Sequence, residues 1–195
     1  MKYYIIYKPF NMLSQFSAKG SKATLGQLAS FEKDVYPVGR LDADSEGLLI
    51  LTNDTELNHR LLNPKFGHSR TYLVQVDGTV TPEALGKLCK GVTITINGKP
   101  YHTIPAKAAE IKEEPELPDR VPPIRYRKSI PTSWLELTLN EGKNRQVRKM
   151  TAAVGFPTLR LVRTAIEGVK LGNMRSGEVR ELTKKEVYAK IFGEN

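Results

Sequence analysis

Three carboxylates fall within five residues: Asp42, Asp44 and Glu46, in GRLDADSEGLLILTND (Gly39 to Asp54). Arg40 precedes them and an apolar run, LLILT, follows. Three readings of this loop are open. As an EF-hand-like calcium loop, Asp42, Asp44, Glu46 and Gly47 stand at positions one, three, five and six, but position twelve is Asn53 and not the bidentate Glu that closes such a site. As a structural turn, Asp44 and Ser45 would bond nearby backbone. As a catalytic loop, Asp42 would be held in a cleft by the rigid strand behind it, and Gly39 and Gly47 would let the backbone fit closely against a ligand. A carboxylate in a cleft needs a cation to stay ionised, since burial alone raises its pKa. Arg40 and the segment NRQVRKM offer such cations. A carboxylate so held can attack a sugar carbon or act as a base. The pattern alone does not rank this above the turn.

The elements that must position these residues can be read from the chain. KYYIIYK is an opening strand ended by Pro9. TLGQLASF reads as a short helix, and LLILT as a buried strand. NDTELNHRLLNP is a helix with Asn53, Asp54 and Thr55 as cap candidates and Pro64 as its stop. RTYLVQVDG alternates as a strand does. TPEALGKLCKG is a helix with Thr81 as N-cap, Pro82 at the first position and Gly91 past the end. VTITINGKPYHTI is a hairpin turning at Asn-Gly, and AKAAEIK a further strand. The segment 113–131 holds five prolines, which excludes a helix or a central strand. SWLELTLNEG is a strand. NRQVRKMTAAVG is a helix with Val147, Met150 and Val154 on one face, closed by Gly155. TLRLVRTAIEG and EVREL are strands, and Thr183 with Glu186 makes a capping-box spacing for a last helix. Few βαβ spacings occur. The expected class is α+β (mixed α/β), with a largely antiparallel central sheet and flanking helices. The 195 residues suit one domain, or two lobes sharing a core.

Charge points to the partner. Lys plus Arg number 30 against 21 acids, a net +9 with a pI near 9.6. From Arg120 to Arg163 there are ten basic residues and only two acids, Glu136 and Glu141, a local excess of +8. Seven of the ten are arginines, whose planar forks suit phosphate oxygens. Tyr126 and Trp134 lie among them and could stack on bases. A nucleic acid is favoured over a merely solvated basic face. One cysteine, Cys89, excludes an internal disulfide and suits a reducing compartment; on its helix it reads as a small packing residue. His59, His68 and His102 are scattered, with no zinc-like spacing. MKYYIIYKPF is not expected to be a signal peptide, because Lys8 interrupts a short apolar run. No stretch approaches the ~18 apolar residues of a membrane span.

The motifs together resemble a known family. GRLDADSEGLLILTND is similar to the signature of the RsuA-type pseudouridine synthases, GRLD-x-x-S-x-GLL-x-LTND. RTYLVQVDG (Arg70 to Gly78) and EGKNRQVRKM (Glu141 to Met150), with LRLVRTAIEGVKLG behind it, resemble two more family segments in the expected order. The likeness runs from about Tyr4 to Leu182. The stretch PPIRYRKSIPTSWLELTLNEGKNRQVRKM is similar to the RluE subtype, which acts at position 2457 of 23S ribosomal RNA. After LVRTA the chain has IEG where relatives often have IGP.

The resemblance implies a pseudouridine synthase catalytic fold over residues 1–195 with a basic active-site cleft, and no S4 RNA-binding domain in front. It implies an isomerase, an intramolecular transferase that breaks the N1–C1′ bond of a uridine and rejoins the uracil through C5. Neither a metal nor an organic cofactor is expected. Asp42 matches the catalytic aspartate, Tyr72 the tyrosine that packs on the target base, and Arg148 the arginine that pairs with the aspartate. RNA contacts are expected from Arg40, Arg125, Arg127, Lys128, Lys143, Arg145, Lys149, Arg160 and Arg163. The expected partner is 23S rRNA, free or in an assembling large subunit, and the expected protein is a cytoplasmic monomer. The alternative is a non-catalytic rRNA-binding or ribosome-assembly factor that uses the same basic residues.

Overall fold

The computed structural model describes residues 1–17, 20–124 and 130–194. The chain divides into two compact units, one of Met1–His68 with Val162–Asn195 and one of Ser69–Leu161.

The first unit opens with β1 (Tyr3–Lys8), rich in the aromatic and β-branched residues that suit a pleated, half-buried surface. The short β2 (Met12–Leu13) and β3 (Ala23–Thr24) pair in parallel. TLGQLASF makes less helix than its pattern suggests: a single 3-10 turn, Leu25–Gln27. Leu25 is the only buried residue of that turn, and one anchor does not offset the cost of nucleating a longer helix. β4 (Tyr36–Pro37) enters the carboxylate loop and β5 (Glu46–Thr52) leaves it. All seven residues of β5 are buried, which is why its sequence is a continuous apolar run and not an alternation. Leu49 and Leu51 join Ile6, Met12, Leu25 and Val35 in one core. α1 (Thr55–Leu62) starts at Asp54, whose carboxylate accepts from the amides of Glu56 and Leu57.

In the second unit the chain forms β6 (Arg70–Asp77), α2 (Pro82–Lys90), β7 (Thr93–Ile96), β8 (Lys99–His102), β9 (Lys107–Ile111), β10 (Thr132–Leu139) and α3 (Gln146–Ala153). β10 pairs antiparallel with β6 on one side and β9 on the other. β7 and β8 make the expected hairpin, with Asn97 and Gly98 both at positive φ (50° and 76°), as a two-residue primed turn demands. Thr81 caps α2 through the amide of Ala84. Val74, Val76, Leu88, Leu135, Leu137, Val147 and Met150 share one core, with Val154 packed against it. Cys89 is exposed and does not pack as expected, because it lies off the Ala84–Leu88 face that α2 buries. Residues 113–124 contain neither helix nor strand.

β11 (Thr158–Ile166) carries the chain back to the first unit, where Val162 and Arg163 pair in parallel with Glu46 and Gly47. β12 (Val169–Lys170) folds back on β11, and β13 (Val179–Leu182) pairs antiparallel with β1. α4 (Lys184–Phe192) begins with the expected capping box of Thr183 and Glu186. The ladders of each unit are mostly antiparallel, which is the α+β class read from the sequence.

Candidate active site

Asp42 lies half-buried on the loop between β4 and β5. The loop does contain a turn: the amide of Ser45 donates to the carbonyl of Asp42 at 3.0 Å, with Ala43 and Asp44 at its corners. That turn uses the Asp42 backbone and not its carboxylate, so the turn reading and the catalytic reading do not compete. Ala43, the next residue, is fixed from below. Its carbonyl accepts from the amide of Asn11 at 2.7 Å and from Nζ of Lys8 at 3.4 Å. Lys8 is fully buried and also donates to the carbonyls of Pro9 and Met12, each at 2.8 Å. Burial pulls its ammonium down to about 7, against the opposing pull of Glu46, Asp44 and Asp42 and with a further push from Arg163. Lys8 therefore lies in the field of all three loop carboxylates.

Arg40 is exposed at the start of the same loop. Tyr72 belongs to the second unit, on β6 opposite Leu137 of β10, and packs half-buried against that unit's core. Arg148, on α3 of the same unit, is half-buried and its Nη1 donates to the carbonyl of Thr158 at 3.4 Å. Lys143 and Arg145 are exposed on the loop before α3, and Lys149 is half-buried on the helix. Arg145 takes the left-handed conformation (φ 52°) at the helix N-cap.

Arg125, Arg127 and Lys128 lie outside the described residues. Arg160 and Arg163 differ from the expectation of an exposed basic face: they are only 8% and 4% exposed. Nη2 of Arg160 donates to the carbonyl of Pro118 at 2.7 Å, and Nε of Arg163 to that of Leu48 at 2.8 Å. Both sit on β11, where they bond to backbone of their own unit.

The sequence reading missed two groups near these residues. One is Lys8, passed over as a mere interruption of the apolar run. The other is Glu141, whose carboxylate accepts from Tyr101 Oη, from the Ile104 amide at 3.0 Å and from Gln146 Nε2 at 2.6 Å. Gln146 Oε1 in turn accepts from the Lys143 amide at 2.9 Å. The loop that presents Lys143 and Arg145 is thus tied to Tyr101 of β8 and to Ile104, two residues beyond the strand. Among the described residues no group of three or more His, Cys, Asp or Glu could hold a metal ion.

The chain belongs to the RNA pseudouridylate synthase family, whose model matches residues 2–153. It is 47% identical over 181 residues to the ribosomal large subunit pseudouridine synthase E of Vibrio parahaemolyticus, covering 93% of this chain and 74% of that protein. It is 50% identical over 164 residues to the protein of the same name from Xanthomonas axonopodis, covering 83% of this chain and 84% of that one. Among solved structures, one described as a pseudouridylate synthase matches at a TM-score of 0.77 and 28% identity, over 97% of this chain and 73% of the other. The chain is accordingly an isomerase that converts uridine to pseudouridine, and the fold is that of the pseudouridine synthases.

Proposed function

We propose that the substrate is a uridine of 23S ribosomal RNA in the large subunit, at position 2457 as the resemblance to the RluE subtype implies, and that Asp42 is the catalytic carboxylate. The observation that carries this reading is the setting of Asp42: it stands in the GRLD signature, on a loop whose flanking backbone is hydrogen-bonded on both sides. Relatives named for large-subunit RNA support the substrate.

The chemistry follows from the bonds exchanged. The N1–C1′ bond breaks, the uracil turns, C5 bonds to C1′, the C5 proton is released and N1 takes up a proton, so that the product is an isomer of the substrate. Asp42 serves either as nucleophile at C1′ or as the base that yields a glycal. By the resemblance, Tyr72 and Arg148 belong to the catalytic set with Asp42, Tyr72 as the stacking surface for the detached uracil. A duplex hides C1′ from a side chain, so the target nucleotide must leave its stack, at a cost on the order of a few kcal/mol. Exposed Arg40, Lys143 and Arg145, with half-buried Lys149, supply phosphate contacts. Such contacts make binding fall steeply with salt. The protein acts as a monomer in the cytoplasm, where ribosomal RNA is made and assembled.

The test uses 23S rRNA transcripts and pre-ribosomal particles labelled with tritium at uracil C5. The wild-type chain should release tritium, at a site located by carbodiimide mapping. Asp42→Asn should release none while binding RNA as before. Turnover retained in Asp42→Asn would remove Asp42 from the mechanism, and release confined to another RNA would remove the proposed substrate.

A further inference from the structure

Ala43, after Asp42, is held by Lys8 and Asn11. The residue before Asp42 is held too, by a side chain that no part of the signature contains. Ser14 lies 27 positions away from Leu41 in sequence, just beyond β2. Its Oγ donates to the Leu41 carbonyl at 2.7 Å and accepts from the Leu41 amide at 3.1 Å. One hydroxyl thus satisfies both backbone polar groups of a single residue. Ser14 is 7% exposed and Leu41 is also 7% exposed, so water does not readily replace either bond.

The consequence is local. A side chain leaves its backbone along a direction set by the φ and ψ of its own residue. The Asp42 backbone joins Leu41 on one side and Ala43 on the other, and its own carbonyl is tied to Ser45. With Leu41 pinned at N–H and C=O, the peptide plane entering Asp42 cannot rotate without breaking a buried hydrogen bond. Without the hydroxyl, the Leu41 amide and carbonyl lose the bonds that satisfy them in a buried place.

We propose that Ser14 is a positioning residue for Asp42, its hydroxyl fixing the loop backbone so that the carboxylate is aimed before the RNA arrives. The inference rests on the reading of Asp42 as the catalytic carboxylate. Ser14 touches no reacting atom, and its effect belongs to the chemical step. Displacing a catalytic group by about 1 Å can cost on the order of 100-fold in rate.

The experiment measures kcat and KM by tritium release, the Kd for the same RNA by filter binding, and the Tm, for Ser14→Ala, Ser14→Thr and Ser14→Val. Assays are run well below each variant's Tm. Ser14→Ala should lower kcat by about 10- to 100-fold and leave KM and Kd within about twofold of wild type. Thr and Val add the same bulk and differ in the hydroxyl, so Ser14→Thr should exceed Ser14→Val in kcat by at least about 10-fold. A group with a structural role only would lower Tm and leave the kcat of the folded fraction unchanged, and that result overturns the inference. Equal kcat for Thr and Val overturns it as well, and if Ser14→Ala does not fold this pair decides alone. Failure of all three to fold makes the hydroxyl a folding group and likewise overturns it. Asp42→Asn is assayed in parallel. If that variant turns over, the reading of Asp42 fails; if it is inert and Ser14→Ala is unimpaired, only the role of Ser14 fails.

Discussion

The backbone of Arg163 passes so close to Gly47 that a Cβ on Gly47 would lie 2.3 Å from the Arg163 carbonyl oxygen and 2.8 Å from its nitrogen. Gly47 also has a φ of +101°, which side chains other than hydrogen rarely adopt. It is opposite Lys8 of β1 on one side and Arg163 of β11 on the other, at the exit of the Asp42 loop. Gly47→Ala should therefore push β5 from β11 at that point. Overpacking and backbone strain together should cost at least about 3 kcal/mol. Urea unfolding measures the loss, and wild-type stability in the alanine variant would contradict the close approach.

Asp54 should prove a second structural centre of the same unit. Its carboxylate accepts from Tyr3 Oη at 2.7 Å, Tyr188 Oη at 2.8 Å, and the amides of Glu56 and Leu57 at 3.0 and 3.2 Å. Burial pushes its carboxyl up, but the two hydroxyls and two amides outweigh burial and hold it below the ordinary carboxylate range. Since the folded pKa is the lower one, its contribution is complete above the unfolded carboxylate's pKa and is lost as pH falls through the folded value. Asp54→Asn should cost roughly 2–3 kcal/mol at neutral pH and flatten the acid limb of stability against pH. An acid limb identical in variant and wild type would refute the assignment.

These two centres differ in how far the sequence announces them. Asp54 could be read as a cap because a helix N-terminus leaves amides that a nearby carboxylate can satisfy, a wholly local need. The same locality exposed the Thr183–Glu186 box, the Asn97–Gly98 turn and the apolar run of β5. The tyrosines that complete the Asp54 site come from β1 and α4, and no local rule links them. Ser14 and Leu41 are equally remote. Charge counting failed for Arg160 and Arg163 because composition does not say which arginines of a strand point inward. One domain or two lobes were both open from the sequence; the bounds of the two units were not legible, because the first is discontinuous, leaving at His68 and resuming at Val162. Asp42 is a candidate through its motif, while the backbone bonds that hold its loop were not legible in the sequence.

Glu141 offers a test in which two physical arguments predict opposite signs. It is an acid beside the basic loop, so electrostatics alone predicts that removing it strengthens RNA binding. Its carboxylate, however, ties that loop to Tyr101, Ile104 and Gln146. In Glu141→Ala the loop should lose its fixed shape, and Lys143 and Arg145 should pay an ordering entropy on binding. RNA affinity at fixed salt should fall by about 3- to 10-fold, equivalent to one lost hydrogen bond of about 1 kcal/mol. Tighter binding in a filter assay would show that charge outweighs shape here.

Lys8 should leave a signature in the dependence of stability on pH. Its folded pKa is about 7 and its unfolded value is near 10.5, with burial the main cause and the carboxylates of Glu46, Asp44 and Asp42 opposing it. Below pH 7 both states hold the proton and Lys8 adds no slope. Between 7 and 10.5 the unfolded state holds it and the folded state does not, so stability rises with pH, by at most about 1.4 kcal/mol per unit. Above 10.5 the slope vanishes again. Other groups titrate in this range, so the comparison is with Lys8→Met, which keeps the length of the side chain and cannot titrate. Urea unfolding at pH 6.5, 8 and 9.5 should show the stability of wild type relative to Lys8→Met increasing with pH. Parallel curves would mean that Lys8 keeps its proton throughout, as its three carbonyl acceptors taken alone would favour, and that burial is not the dominant influence on it.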